Sequence, residues 1–461
     1  MAKTKDLTKG SIGKTLILFA VPLLISSLVQ QLYNTVDLIF AGNYINRSAS
    51  AAIGASSLLI TCLVGFFGGM SVGTGVVVSR YFGAKNLSKV KKALHNAVFL
   101  SMAGGLLFLL IGELAVSSYL RLVNTPETIL EMAAGYLRVY TLSFVPMFVF
   151  NLGSGVLRAL GNSRAPLCCQ LLGGLMNVAM DYLFLRLFEN GVTGVAWATL
   201  ISQTTAAAAI LYSLSRLDEQ YAFRWASVAP DRELLIEVIR IGVPAGTQSL
   251  VITLSNVMAQ YHINSLGEDA IAAFAAYFQV ELIIYLPIVA FGQAVMTFSG
   301  QNAGANRFDR VRRGTGVCLL ISMSLAVVSS AAALHLGPYL FRAFNRETAV
   351  IETGCRIIGI TFPFYCIYCI LQVLGDSLRG CGQTRQPMYI ILINICVIRT
   401  ILLFAIVPRI GDVRGVAAAY PVTWALTAVC MAVYYCRYHF RRTGTVTWNR
   451  NHLWRGNHDS G

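Results

Sequence analysis

Five carboxylates lie inside long apolar stretches of this 461-residue chain: Asp37, Glu113, Asp181, Glu281 and Asp376. An ionisable group in hydrocarbon is costly, so each is a candidate for binding or moving an ion. Asn177 precedes Asp181 by four residues, one helical turn, and shares its face. Tyr33 stands in the same relation to Asp37, and Thr199 reaches a similar depth on the following stretch. These five side chains offer carboxylate, amide, hydroxyl and phenol oxygens. Such a set could ligate Na⁺ at Asp37, Asn177, Asp181 and Thr199, or take up a proton at one of the two acids. The competing reading is structural, since Asn and Thr in membrane helices also bridge their neighbours. Glu281, with Gln279 beside it, and Glu113 could line a cavity. Arg399 sits mid-stretch and needs a carboxylate, a lipid headgroup or water; it could neutralise Glu281 or Asp376. Pro22 frees a backbone carbonyl and permits a bend in the segment that carries Asp37.

The elements that must position these groups are membrane helices. Hydrophobic residues make up 56% of the chain and charged residues 12%, with a mean hydropathy of +0.63. Soluble domains carry about 25% charged residues, and a membrane span needs about 20 apolar ones. Apolar runs fall at 15–41, 52–79, 94–120, 133–157, 166–188 and 192–214, then at 235–263, 271–298, 314–341, 354–378, 387–408 and 415–436. The expected fold is all-α and polytopic, with twelve transmembrane helices. The first six (1–214) form one lobe and the last six (235–440) another. A polar linker (215–234) joins them and a polar tail (441–461) follows.

The formal net charge of +15 sits largely in short loops, with clusters at Arg80, Lys85, Lys89, Lys91 and Lys92 and at Arg307, Arg310, Arg312 and Arg313. That is the pattern that orients membrane proteins, and it puts both termini in the cytoplasm. It argues against a nucleic-acid partner; membrane lipids are the expected surroundings. The six His form no H-x-x-x-H or H-E-x-x-H pair, and no serine-plus-base set stands out, so an enzyme is not expected.

The two halves repeat each other at an offset of about 221 residues. Gly83-Ala84-Lys85-Asn86 pairs with Gly304-Ala305-Asn306-Arg307, and RALGNSRAP (158–166) with RGCGQTRQP (379–387). Six plus six spans in one orientation make a parallel repeat with a pseudo-twofold along the membrane normal. Secondary transporters are built this way, with the site at the interface of the repeats.

NTVDLIFAGNYINRSASAAIGASS (34–57) resembles the first-span signature of the MATE multidrug and toxin extrusion transporters. YFGAKN (81–86), RALGNSRAP (158–166), NVAMD (177–181), GVTGVAWAT (191–199), QNAGAN (301–306) and LRGCGQTRQP (378–387) fit that family in order. The resemblance spans about residues 10–440. It implies a V-shaped, two-lobed antiporter of the cytoplasmic (inner) membrane that works as a monomer by alternating access. Its implied substrates are small amphipathic organic cations, and its only cofactor is H⁺ or Na⁺ as coupling ion. In the DinF-like branch the ion is held in the N-terminal lobe, at positions matching Tyr33, Asp37, Asn177, Asp181 and Thr199, with the bend at Pro22. The NorM-like branch carries acids in the seventh and tenth spans. Here the seventh has none between Glu237 and Glu268, so the DinF-like pattern fits better. The alternative is a flippase for a lipid-linked sugar or cell-wall precursor, which calls for a basic cavity.

Overall fold

A computed structural model describes residues 4–44, 47–184 and 191–443; within these, the side chains at 33–44, 47, 49–50 and 441–443 lie outside the described set. Among the described residues all regular structure is helical. The first half comprises α1 (Ile12–Tyr44), α2 (Arg47–Gly83), α3 (Leu87–Leu122), α4 (Glu127–Leu142), α5 (Phe144–Ala159), α6 (Arg164–Tyr182) and α7 (Gly191–Ser215). The second comprises α8 (Arg232–Asn264), α9 (Glu268–Gly304), α10 (Phe308–Arg342), α11 (Thr348–Thr361), α12 (Tyr365–Gly380), α13 (Arg385–Ile391), α14 (Arg399–Ile410) and α15 (Val413–Thr443). A π-helical segment, Leu392–Ile398, joins α13 to α14 without a break.

Ten described segments are long and apolar enough to cross a membrane, and α4 with α5, bent by 42° where they meet, supplies an eleventh. The twelfth is α6, whose 19 residues span about 28 Å. Arg164, Gln170, Asn177 and Asp181 interrupt its apolar run. Leu107, Leu110 and Leu114 on α3, Val327 and Val328 on α10, and Ile401 and Phe404 on α14 are exposed. In water such faces would aggregate; in a bilayer they meet lipid, while each helix satisfies its own backbone. The chain is a multi-pass membrane protein.

The repeat is visible in element lengths. α1 and α8 each have 33 residues, α2 and α9 each 37, and α5 and α12 each 16. The halves meet where α2 crosses α8. A Cβ on Gly69 would lie 2.2 Å from the Gly246 nitrogen, and one on Gly73 would lie 2.6 Å from the Gly242 Cα. Small residues at helical spacing let two membrane helices touch backbone to backbone, and nothing larger than glycine fits at these points. Towards the end that carries the basic loops, α1 joins in. Leu16, Phe19, Ala20 and Leu23 pack on Phe291, Ala294, Val295 and Phe298 of α9. Gln301 is buried there; its Oε1 accepts from the Leu7 N–H at 2.8 Å and its Nε2 donates to the Ala159 carbonyl at 2.8 Å. At the same level Gly83 abuts the Gln301 carbonyl and Gly304 the Arg80 carbonyl. The two halves are therefore sealed together at the basic end.

The segment 215–234 is not a loose tether. Leu217, Tyr221 and Phe223 are buried with Val90, Ala93 and Leu94 of α3. The Asn96 amide clamps Asp231: its Oδ1 accepts from the Asp231 N–H at 2.8 Å and its Nδ2 donates to the Asp231 carbonyl at 3.0 Å. The Asp231 side chain caps α8 by accepting from the Leu234 N–H, and it pairs with Lys92 at 3.3 Å. Burial would raise this carboxyl, but the Leu234 N–H and Lys92 outweigh it and hold the group below the usual carboxylate range. A depressed carboxyl contributes stability that is present above its unfolded-state value, about 3.9, and is lost as pH falls through the folded one. Asp231→Ala is expected to cost about 1 kcal/mol at pH 7. The difference from the parent chain should narrow as the pH drops below about 4. Denaturation of both proteins in detergent at pH 7 and pH 3.5 measures this, and a gap that does not change with pH refutes the charge contribution.

Candidate functional site

α6 and α7 pack closely, with the Ser202 hydroxyl donating to the Gly173 carbonyl at 2.8 Å. On α6, Asn177 is 2% exposed and Asp181 0%, one turn apart as the sequence requires. The Asn177 Oδ1 accepts no hydrogen bond among the described residues. On α7 the half-buried Thr199 donates its hydroxyl to the Val195 carbonyl at 3.0 Å, which leaves the oxygen lone pairs for a ligand. The side chains of Tyr33 and Asp37 lie outside the described residues, but the backbone that carries them is helical. α1 and α6 are held in register lower down, by Ser26 donating to Gln170 and by the Gln170 Nε2 donating to the Gln30 Oε1 at 2.6 Å. Position 37 is seven residues beyond Gln30 and position 177 seven beyond Gln170. Two turns along helices running the same way leave the two backbone positions level.

Between the halves is a cavity of about 390 Å³, walled by α2, α5, α8, α9 and α12. Its charged groups are Arg158, Asp376 and Arg379. A second cavity, about 270 Å³, lies against α1 and α6 and shares Asn151, Arg158 and Gln293 with the first. Arg158 thus stands where the two meet, its Nη2 donating to the Ser71 Oγ at 3.2 Å. Asp376 is held by Arg379, Nη1 to Oδ1 at 2.6 Å, and by the Gln372 Nε2 at 2.7 Å. Cavities of this size take small molecules. The uncharged polar lining, including Ser71, Asn151, Gln248 and Gln293, can hydrogen-bond many of them.

Pro22 is buried inside α1, on the stretch that reaches across to α9. None of Glu281, Gln279 and Glu113 lines either cavity. Gln279 is exposed on α9, and Glu113 accepts a hydrogen bond from Thr141 at the junction of α3 and α4. Glu281 accepts from the hydroxyl of the fully buried Tyr365. Around them Tyr365, Tyr368 and Tyr420 ring Trp424 with centroids 4.9–6.0 Å away. Of the partners the sequence left open for Arg399, neither Glu281 nor Asp376 forms a direct ion pair with it among the described residues, although Glu281 is near enough to attract it. Arg399 is 3% exposed, its Nε and Nη2 donate to the Thr423 Oγ1 at 3.3 and 3.2 Å, and it lies 4.5 Å over the Tyr420 ring. An aromatic face and a hydroxyl are its direct contacts, while Glu281 attracts it from further off and Asp376 is taken by Arg379. Replacing Glu281 by Ala would strand the buried Tyr365 hydroxyl, at a cost of about 1–3 kcal/mol. Tyr365→Phe in that background removes the stranded donor and should restore most of it. Detergent unfolding of the single and double variants tests this, and simple additivity would contradict it.

Sequence reasoning missed Arg158, Gln248, Gln293 and Gln372. One signal was present for Arg158: the repeat aligns it with Arg379.

Two repeated halves joined along a glycine seam, with a polar cavity between them and a buried carboxylate in one wall, have the build of a membrane transporter. The MatE family pattern matches residues 22–183 and 244–405, one copy in each half. The chain belongs to that family. It is 28% identical to "Probable multidrug resistance protein YpnP" of Bacillus subtilis (strain 168) over 440 residues, covering 95% of this chain and 97% of the relative. It is 26% identical to "Probable multidrug resistance protein YoeA" of the same organism over 442 residues, covering 94% and 95%. A solved structure described as "Outward-facing conformation of a multidrug resistance MATE family transporter of the MOP superfamily" matches with a TM-score of 0.89 at 21% identity, covering 96% of this chain and all of that one. That likeness is one of fold, the V-shaped arrangement of twelve helices.

Proposed function

We propose that the chain is a cation-coupled antiporter of the cytoplasmic membrane that exports amphipathic organic molecules by alternating access. Its relatives carry multidrug resistance names, which supports a broad range of small substrates. The observation that carries the coupling is Asp181, wholly buried one turn from Asn177 in the wall of the first lobe. A carboxylate is kept in such a place when an ion visits it. Asp37 and Asp181 bind H⁺ or Na⁺, and Tyr33, Asn177 and Thr199 are neutral ligands or hydrogen-bond partners. Ion entry neutralises the site and favours one arrangement of α1 and α6, for which the bend permitted by Pro22 gives room. An ion shifts the equilibrium only by its differential affinity for the two arrangements. The seal at the basic end supports reading the present arrangement as closed to the cytoplasm. Organic cations, the class implied by the resemblance, would meet Asp376 in the cavity wall, where Arg379 competes for it.

The test is efflux of a fluorescent organic cation from proteoliposomes, with a pH gradient and a Na⁺ gradient imposed separately. Movement driven by one gradient and lost in Asp37→Asn supports the reading and names the ion. Movement driven by neither, from correctly folded protein, refutes it and favours a lipid flippase.

A further inference from the structure

The pseudo-twofold pairs Arg158 of α5 with Arg379 of α12, and both line the central cavity. The two lobes treat this arginine differently. Arg379 is neutralised by Asp376, three residues earlier on the same helix. The position equivalent to Asp376 in the first lobe is Gly155. A Cβ there would lie 2.6 Å from the Ser71 Oγ and 2.8 Å from the Ser71 carbonyl, so no acid fits without moving α2. The exchange is reciprocal. Ser71 aligns with Gly292, and a Cβ on Gly292 would lie 2.2 Å from the Asp376 Oδ2. In one lobe a carboxylate from α12 fills the space over a glycine of α9. In the other a serine from α2 fills the space over a glycine of α5. Arg158 therefore has a hydroxyl where Arg379 has a carboxylate.

The consequence is electrostatic. Among the described residues Arg158 has no ion-pair partner, and its guanidinium donates to the Ser71 Oγ at 3.2 Å. It is also half-buried at the junction of two polar cavities. With Asp376 and Arg379 cancelling, the charge left on the described walls is one guanidinium. A cation removed from water without a counter-ion is costly, and a ligand that supplies the missing charge recovers that cost. The fork of a guanidinium matches the two oxygens of a carboxylate, sulfonate or phosphate.

We infer that Arg158 is the anion-binding residue of the central cavity, taking a carboxylate, sulfonate or phosphate group of an amphipathic ligand whose apolar body occupies the 390 Å³ space. This rests on the transport reading for its purpose, but binding can be measured apart from transport. The anion can come from a soluble amphiphile or from an anionic lipid headgroup, since the chemistry is shared.

The experiment uses two xanthene dyes of opposite charge, carboxyfluorescein and rhodamine 123, with the full chain purified in a neutral maltoside detergent. Fluorescence anisotropy should show carboxyfluorescein binding, weakened at least about tenfold in Arg158→Gln, which is about 1.4 kcal/mol. Arg158→Lys keeps the charge and should retain most of the affinity, while rhodamine 123 should bind Arg158→Gln as well as or better than the parent. On the unaltered chain, benzenesulfonate should displace carboxyfluorescein and benzyltrimethylammonium should not, so the proposal is testable even if Arg158→Gln does not fold. Displacement by short-chain phosphatidylglycerol, lost in Arg158→Gln, would support the site with a lipid source. Equal carboxyfluorescein binding by Arg158→Gln, or displacement by benzyltrimethylammonium alone, overturns the proposal. Gradient-driven rhodamine 123 efflux without carboxyfluorescein binding would overturn it and leave the transport reading standing. Arg158-dependent carboxyfluorescein binding without transport of either dye would uphold it and count against that reading.

Discussion

Asp181→Asn is expected to lower gradient-driven efflux by at least about tenfold, equivalent to about 1.4 kcal/mol or more on the coupled step. The side chain is wholly buried, and the amide has almost the same shape, so packing on α6 survives. What is lost is the ability to change charge or to hold a cation by charge. Substrate binding at the central cavity, on other helices, should be preserved. Dye binding in detergent and dye efflux from proteoliposomes should therefore part company in this variant. Asp37→Asn is expected to act in the same direction. If both acids hold one ion, the double variant should be little worse than either single one, since members of one site do not add. Full efflux from well-folded Asp181→Asn would sink the assignment. Loss in Asp181→Asn with normal efflux in Asp37→Asn would confine the ion to α6 and α7.

Arg379→Ala should be the most damaging single change to stability, by about 3–5 kcal/mol. The pair is short, at 2.6 Å, and both side chains are nearly enclosed, 11% exposed for Arg379 and 4% for Asp376. Removing the arginine leaves a carboxylate at which Gln372 is the only remaining hydrogen-bond donor among the described residues. Asp376→Asn should cost less, because Gln372 can still donate to the amide oxygen and Arg379 still faces the polar cavity. Arg379→Ala combined with Asp376→Ala should recover part of the loss, since no isolated charge remains. Thermal unfolding in detergent of the four proteins closes a double-variant cycle. A cycle without coupling would show that the pair does not hold α12 in place.

Much of this fold is legible in the sequence, because a bilayer permits few solutions. The apolar runs, the basic loops and the repeat from RALGNSRAP to RGCGQTRQP were sufficient to lay out twelve segments in two halves. The bend between α4 and α5 is not foreshadowed by a proline at the joint, which falls at Ser143; Pro146 follows one turn later. The docking of 215–234 was hidden by its polar composition, which conceals the buried Leu217, Tyr221 and Phe223. At the site, helical spacing is enough to put Asn177 and Asp181 on one face. Partners across helices are another matter. Asp376 three residues before it is a local signal for the partner of Arg379, but nothing near Arg399 in the chain points to Thr423 and Tyr420. Arg158 escaped because it lies just past the end of the expected span at 133–157, where an arginine looks like an ordinary loop charge. Only the repeat alignment, carried down to Gly155 against Asp376, exposes it.

The glycine crossing of α2 and α8 also sets the mechanics of the molecule. At Gly69 the backbones of the two helices touch directly, with only Phe66 and Met70 of α2 lying over Gly246 and Gly242, so few side chains have to give when the helices tilt about that point. Gly69 is 14 residues from the basic end of α2 and 22 from the other end, or about 21 Å and 33 Å at 1.5 Å per residue. A rigid α2 pivoting there is an unequal lever. A parting of about 3 Å at the short arm would swing the long arm by nearly 5 Å, given those lengths. A modest breach of the Gly83–Gln301 and Gly304–Arg80 contacts would thus be amplified into closure at the far mouth. The fulcrum, rather than the ion or the cargo, would fix how far one side must open before the other shuts.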